Sequence, residues 1–102
     1  MLAKKRKVEK KQKTSRQMER HLKGVANHWR IEILFLVADN KGIGMDDIAE
    51  KLGGNLKTLS EHARRLTQAG LIKKHYRSQT VAHELTPYGK KFMKFLKSFS
   101  YS

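Results

Sequence analysis

At Gly70 the hydrophobic period of the chain changes, and that switch restricts the possible folds more than any other feature of the sequence. Before it, Leu56, Leu59, Ala63, Leu66 and Ala69 recur at spacings of three and four, as an amphipathic helix requires. After it, Ile72, Lys74 and Tyr76 share one face of a strand, and Val81, His83 and Leu85 share one face of another. Ser78-Gln79 lies between the strands as a polar tip, without the Asn-Gly or Asp-Gly of the tightest hairpins. Gly70 itself suits the left-handed position that closes a helix. The expected unit is a helix over about 56–69 that runs directly into an antiparallel hairpin over about 71–86.

The remaining segments read as helices. Met18, Leu22 and Val25 form one apolar stripe from Arg16 to about Ala26. Asn27 is a good N-cap, and the residues from His28 to Ala38 are apolar on most faces after the first turn, so this helix belongs at the centre of the core. Asp39-Asn40-Lys41-Gly42 stops it. A short helix follows, with Gly44 as N-cap, Asp46 and Asp47 at the positive end of its dipole, and Ile43 and Ile48 placed as a hydrophobic staple. Gly53-Gly54 ends it and Asn55 caps the next. After the hairpin, Thr86 caps and Pro87 opens a last helix whose stripe is Tyr88, Phe92, Phe95 or Leu96, and Phe99, with Lys90, Lys91, Lys94 and Lys97 in water. The fold class is mainly α with one small antiparallel β-hairpin.

The partner class is set by charge. The chain of 102 residues is 38% hydrophobic, enough for one modest core, and carries a formal net charge of +14. A surface that positive attracts polyanions, and nucleic acid leads among them. No apolar run approaches the roughly 18 residues of a membrane span and no secretory signal is present, so no membrane partner is expected and the chain should be soluble and cytoplasmic, with the nucleoid. The absence of cysteine excludes disulfides, thiolate metal sites and a cysteine nucleophile. The basic residues concentrate first at residues 1–15, where Lys4, Lys5, Arg6, Lys7, Lys10, Lys11 and Lys13 face the single acid Glu9. With almost nothing to bury, this segment is expected to be a flexible arm tracking phosphates, the alternative being a solvated tail, and residues 16–102 make the domain.

Two helices joined by a short glycine-containing turn, with the second followed by a two-stranded ribbon, is the layout of a winged helix-turn-helix. The stretches LKGVANHWRIEIL, MDDIAEKLGGNLKTLSEHARRLTQAGLIKK and VAHELT resemble the arsenic-repressor (ArsR) type of winged-helix transcriptional regulators. The ending Leu85-Thr86-Pro87-Tyr88-Gly89 is more similar to the multiple-antibiotic-resistance (MarR) branch. The resemblance implies a positioning helix and turn over Ala49–Gly53, and a recognition helix from Thr58 to Gly70 leading to the wing. One departure is Asn27-His28, where an Asp-Pro pair often opens the second helix of the family. Another bears on metal sensing, which the family performs through cysteines of the recognition helix or Asp and His of the terminal helix. This chain has no cysteine, and Thr86 to Ser102 contains neither Asp nor His, so metal sensing by those routes is not expected.

With Leu59, Ala63 and Leu66 inward, the outward residues of the recognition helix are Lys57, Thr58, Ser60, Glu61, His62, Arg64 and Arg65. The first five are candidates for base or near-base contact, and Arg64 and Arg65 for phosphates. Glu61 is repelled by DNA unless it accepts from cytosine or pairs with a neighbouring arginine. Lys73, Lys74, His75, Arg77 and Gln79 of the wing are expected on the backbone or flanking minor groove, the alternative being a solvated basic ribbon. His21, His28, His62, His75 and His83 form no HExxH or His-x-x-x-His pair and are expected as capping or surface residues. Trp29 should pack against a terminal helix rather than stack on a base. No phosphate loop and no nucleophile-base-acid set can be assembled, which argues against an enzyme and against a cofactor. The expected function is sequence-specific binding of double-stranded DNA as a homodimer through the first and last helices; the alternative is a non-specific nucleoid-associated or RNA-binding protein.

Overall fold

The computed structural model describes residues 12–101, in the order α1 (Ser15–Val25), α2 (His28–Asp39), α3 (Met45–Leu52), α4 (Leu56–Gln68), β1 (Ile72–Arg77), β2 (Thr80–Leu85) and α5 (Pro87–Phe99). The basic run ahead of Gln12 lies outside the described residues. Thr14 closes a capping box with Gln17 at the start of α1, and the Lys13 ammonium stands 4.0 Å from the Tyr88 ring centre, so these two residues of the expected arm contact the folded domain.

Each helix starts where a side chain can satisfy its free N–H groups. Asn27 accepts from Trp29 and Arg30, Asn55 from Thr58 and Thr86 from Gly89, while Gly44 opens α3 without a side-chain cap. Gly53 (φ 67°) ends α3 in the left-handed conformation, and Gly70 (φ 77°) does the same after α4. As expected of a helix apolar on most faces, α2 is central and packs against α1, α3, α4, α5 and β2. Ile33, Leu34, Ile48, Leu59, Leu66, Leu71 and Ile72 make the fully buried centre, and Trp29 packs on it half-buried. The two strands pair antiparallel with Ile72 opposite Leu85 and Arg77 opposite Thr80, leaving Ser78-Gln79 as the tip with Ser78 at φ 55°.

Two apolar stripes are rotated from their expected facing. On α1 the buried residues are His21, Gly24 and Val25, whereas Met18 and Leu22 are exposed. Gly24 sets this, because its bare backbone lies against Ala69 at the end of α4. On α5 the buried residues are Gly89 and Met93, with Phe92 and Leu96 half-buried and Tyr88, Phe95 and Phe99 largely exposed. Here Gly89, seated on the Leu71 carbonyl, sets the rotation.

Two histidines expected at the surface are core residues instead. His21 Nδ1 lies 2.6 Å from the Ala69 carbonyl, and His83 Nδ1 2.8 Å from the Ile43 carbonyl. A carbonyl can only accept, so each Nδ1 carries the proton. The main chain of His83 also bridges to Ile43, tying the loop between α2 and α3 to the root of the wing. Burial pushes the His83 pKa down, opposed by its bond to Ile43, and the half-buried His62 is shifted the same way. Below the unfolded value of about 6.5 the unfolded chain therefore binds more protons than the folded one. Stability is full above that pH and declines as pH falls. Glu61 and Glu84, both lowered to about 2, add losses only below about 4.5, so the interval between 4.5 and 6.5 reports the histidines. Melting temperatures across pH 7.5 to 5 should fall for the wild-type chain and fall less for His83→Gln; equal slopes would remove His83 as the cause.

Candidate nucleic-acid interface

The burial of Leu59, Ala63 and Leu66 turns the opposite face of α4 to solvent. Lys57, Thr58, Ser60, Glu61, His62 and Arg64 on that face, together with Lys74 of β1, line one open hollow of about 660 Å³. Seven residues expected on the interface are thus brought to one surface by an α-helical and a β-period meeting across Gly70. Arg65 stands at its edge, bonded to Glu61.

Within this surface Glu61 holds both arginines: its carboxylate accepts from Arg64 Nε at 2.9 Å and Nη2 at 2.5 Å, and from Arg65 Nε at 3.0 Å. The spacings are i, i+3 and i, i+4, so one turn of helix suffices. The hydrogen bonds from Arg64 and then Arg65 bring the Glu61 pKa down to about 2. Of the two ways an acid could be accommodated on this face, pairing with neighbouring arginines is the one present in the free protein.

His62 is engaged from behind. Arg30 Nε donates to its Nδ1 at 3.1 Å, which leaves Nε2–H as the ring's donor. Burial, then the charge of Arg30, lowers its pKa and keeps the ring neutral. Arg30 also donates through Nη1 to the carbonyls of Lys23 and Gly24, at 3.1 and 3.2 Å. Arg30 carries no signal in the sequence, being one of two polar residues, with His28, in the first turn of a helix otherwise notable for its apolar content.

Strand alternation divides the wing candidates between two faces. Lys74 is the wing residue that joins the α4 hollow. Lys73 and His75 lie on the other face, where Glu84 meets Lys73 at 3.4 Å, Lys41 at 3.6 Å and His75 Nε2 in a short contact. The His75 bond, followed by that of Lys73, lowers the Glu84 pKa to about 2. Arg77 is exposed at the end of β1. Gln79 instead lines a separate hollow with Gly44, Met45, Asp46 and Asp47 at the start of α3, beside carboxylates. Among the described residues no three His, Asp or Glu side chains are grouped as a metal would need, and no helix is long and apolar enough to cross a membrane.

Residues 28–73 match the family described as winged helix-turn-helix DNA-binding. No curated protein matches the chain by sequence. Among solved structures, HlyU from Vibrio cholerae is 26% identical, covering 90% of this chain and 100% of its own, with a TM-score of 0.78. The transcriptional regulator HlyU from Vibrio vulnificus is 26% identical over 97% of this chain and 98% of its own, with a TM-score of 0.72. At 22% identity the likeness is one of fold for Mb0332 from Mycobacterium bovis, a homodimeric winged helix-turn-helix DNA-binding domain described as a possible ArsR-family transcriptional regulator. It covers 86% of this chain and 87% of its own, with a TM-score of 0.74.

Proposed function

We propose that this chain, a winged helix-turn-helix DNA-binding protein of the HlyU and ArsR-like kind of transcription regulator, binds duplex DNA sequence-specifically as a homodimer. In this reading α4 enters the major groove, where Lys57, Thr58, Ser60, Glu61 and His62 reach base edges and Arg64 and Arg65 meet phosphates. Lys74 follows the backbone beside α4 and Arg77 extends the contact along the wing, whereas Lys73 and His75 would have to leave Glu84, and Gln79 the carboxylates at the start of α3, to join it. The observation that carries the reading is the gathering of Lys57, Thr58, Ser60, Glu61, His62, Arg64 and Lys74 around one hollow on an otherwise basic face. Short polar side chains among cations suit base readout, where a purely electrostatic scaffold would need only the cations. The basic run ahead of Gln12 adds phosphate contacts, Lys13 to Ser15 being part of the folded domain, and the site of action is the cytoplasm.

The homodimer is supported by a turned-out apolar face. Met18 and Leu22 of α1 and Tyr88 and Phe95 of α5 are exposed, and Met18, Leu22, Tyr88 and Phe92 line a common hollow beside the buried His21. The Mycobacterium bovis domain of the same fold is homodimeric. Two-fold symmetry would present two recognition helices to two half-sites.

Fluorescence anisotropy tests the reading, using pooled random duplex and duplex from the neighbourhood of the chain's own gene across a salt series. A preference of about a thousandfold for one neighbourhood duplex supports a specific regulator; equal affinity for all duplexes overturns specificity. In the same assay Glu61→Gln removes the carboxylate that neutralises Arg64 and Arg65. Its affinity for random duplex should rise about three- to tenfold with a steeper salt slope, and its discrimination between duplexes should fall.

A further inference from the structure

Beside the recognition face lies a second basic hollow, which brings cations of α1 and α2 to the C-terminal end of α4. It measures about 240 Å³ and lies where α1 crosses the end of α4, lined by Arg20, Lys23, Arg30, Arg65 and Gln68 around Gly24 and Ala69. Four cations and an amide converge there, and no carboxylate is in the lining. The crossing depends on Gly24, since a Cβ built there would stand 2.2 Å from that of Ala69.

Arg30 is the fixed member of this set. Its three hydrogen-bond partners are neutral: an imidazole nitrogen and two main-chain carbonyls. They hold the guanidinium in place and leave its charge undiminished, whereas Arg64 and Arg65 share Glu61 and Lys23 is paired with Glu19 at 3.1 Å. Nη2 of Arg30 makes no hydrogen bond among the described residues. A planar, pre-oriented cation with a free N–H edge is suited to an oxyanion.

We propose that Arg20, Lys23, Arg30 and Arg65 form a phosphodiester clamp that grips the DNA backbone at the rim of the groove entered by α4. The proposal rests on the reading of α4 as a recognition helix. A recognition helix lies in the major groove with its N-terminal residues at the base edges, so in this reading the C-terminal half of the 13-residue α4 is carried toward the rim of the groove, where the phosphates are. Arg65 and Gln68 are in that half. The two surfaces are joined through side chains, since Arg30 bonds His62 and Arg65 bonds Glu61, and both of these acceptors line the hollow of the recognition face. A backbone phosphate seated on Arg30 would therefore fix His62, and with it the register of the residues that read bases.

Two variants and one titration test this. Arg30→Ala should weaken random duplex by about tenfold and the preferred duplex by more, because His62 loses its support, and should reduce the slope of log K against log salt by about one. Because Arg30 also ties α1 to α2, the double variant Arg20→Gln with Lys23→Gln, two exposed side chains, provides an independent reading. Its slope should fall by about two, with the melting temperature unchanged. In the full chain, the Arg30 15Nε–H resonance should shift on adding duplex, and inorganic phosphate at millimolar concentration should compete with the duplex for that site. Unchanged salt slopes in both variants, with wild-type protein that binds duplex, overturn the clamp and leave the recognition helix standing. A resonance that responds to inorganic phosphate and not to duplex overturns it in favour of a free-anion site. Wild-type protein that binds no duplex overturns both readings.

Discussion

Gly89→Ala is expected to cost about 3 kcal/mol or more and to lower the melting temperature by about 10 to 20 °C. A Cβ at this position would stand 2.0 Å from the Leu71 carbonyl oxygen, far inside contact distance, and that oxygen is main chain. Neither side can yield cheaply. The Leu71 carbonyl accepts from Thr86 N at 3.1 Å, the Thr86 hydroxyl donates to the Gly70 carbonyl at 2.6 Å, and Gly89 N donates to that hydroxyl at 3.0 Å. The start of α5 is thereby joined to the turn between the recognition helix and the wing. Accommodating one methyl group means lifting α5 off this turn, breaking those bonds and unseating Met93. Thermal unfolding followed by circular dichroism checks this directly. A variant melting within about 3 °C of wild type would show that α5 does not approach Leu71 so closely.

Phe95→Glu is expected to leave the fold intact and to abolish the proposed homodimer. Phe95 is 56% exposed and stacks on Phe99 with ring centres 5.6 Å apart, so the single chain loses little when it is replaced. In a two-fold interface every patch residue counts twice. Burying the exposed 56% of one phenylalanine on each side contributes about 2 to 3 kcal/mol, and two carboxylates brought into the same place add desolvation and repulsion. The dimer constant should weaken by at least a hundredfold. Sedimentation at micromolar concentration should show a monomer, with the melting temperature within a few degrees of wild type. Affinity for a duplex carrying two half-sites should fall by about a hundredfold or more, and affinity for one half-site should be unchanged. A variant that remains dimeric would place the partner copy on another face.

Much of the architecture is a matter of local chemistry. Asn27, Asn55 and Thr86 begin helices because their side chains reach N–H groups two or three residues on. Gly53 and Gly70 end helices because they accept positive φ without strain. Leu59, Ala63 and Leu66 fall on one stripe by helical geometry alone, and their burial in turn dictates that Lys57, Thr58, Ser60, Glu61 and Arg64 face outward. The Glu61 pairs were legible as a possibility for the same reason, since they span a single helical turn.

Other features depend on residues far apart along the chain, and no local pattern encodes them. His21 meets Ala69 across 48 positions, His83 meets Ile43 across 40, and Arg30 meets His62 across 32. The sequence by itself determined the elements, their order and which face of α4 meets solvent, because caps, glycines and periodicity act within a turn or two of chain. Only the tertiary structure decided the rotation of α1 and α5, since that was set where Gly24 and Gly89 allowed backbones to touch. The same packing decided that two histidines went to the core, that Glu84 took Lys73 and His75 out of the group around Lys74, and that Arg30 stood beside the recognition helix. The physical reason is common to all of them: a side chain's partner across the core is chosen by how closely the elements can approach, and that distance exists only once the chain has folded.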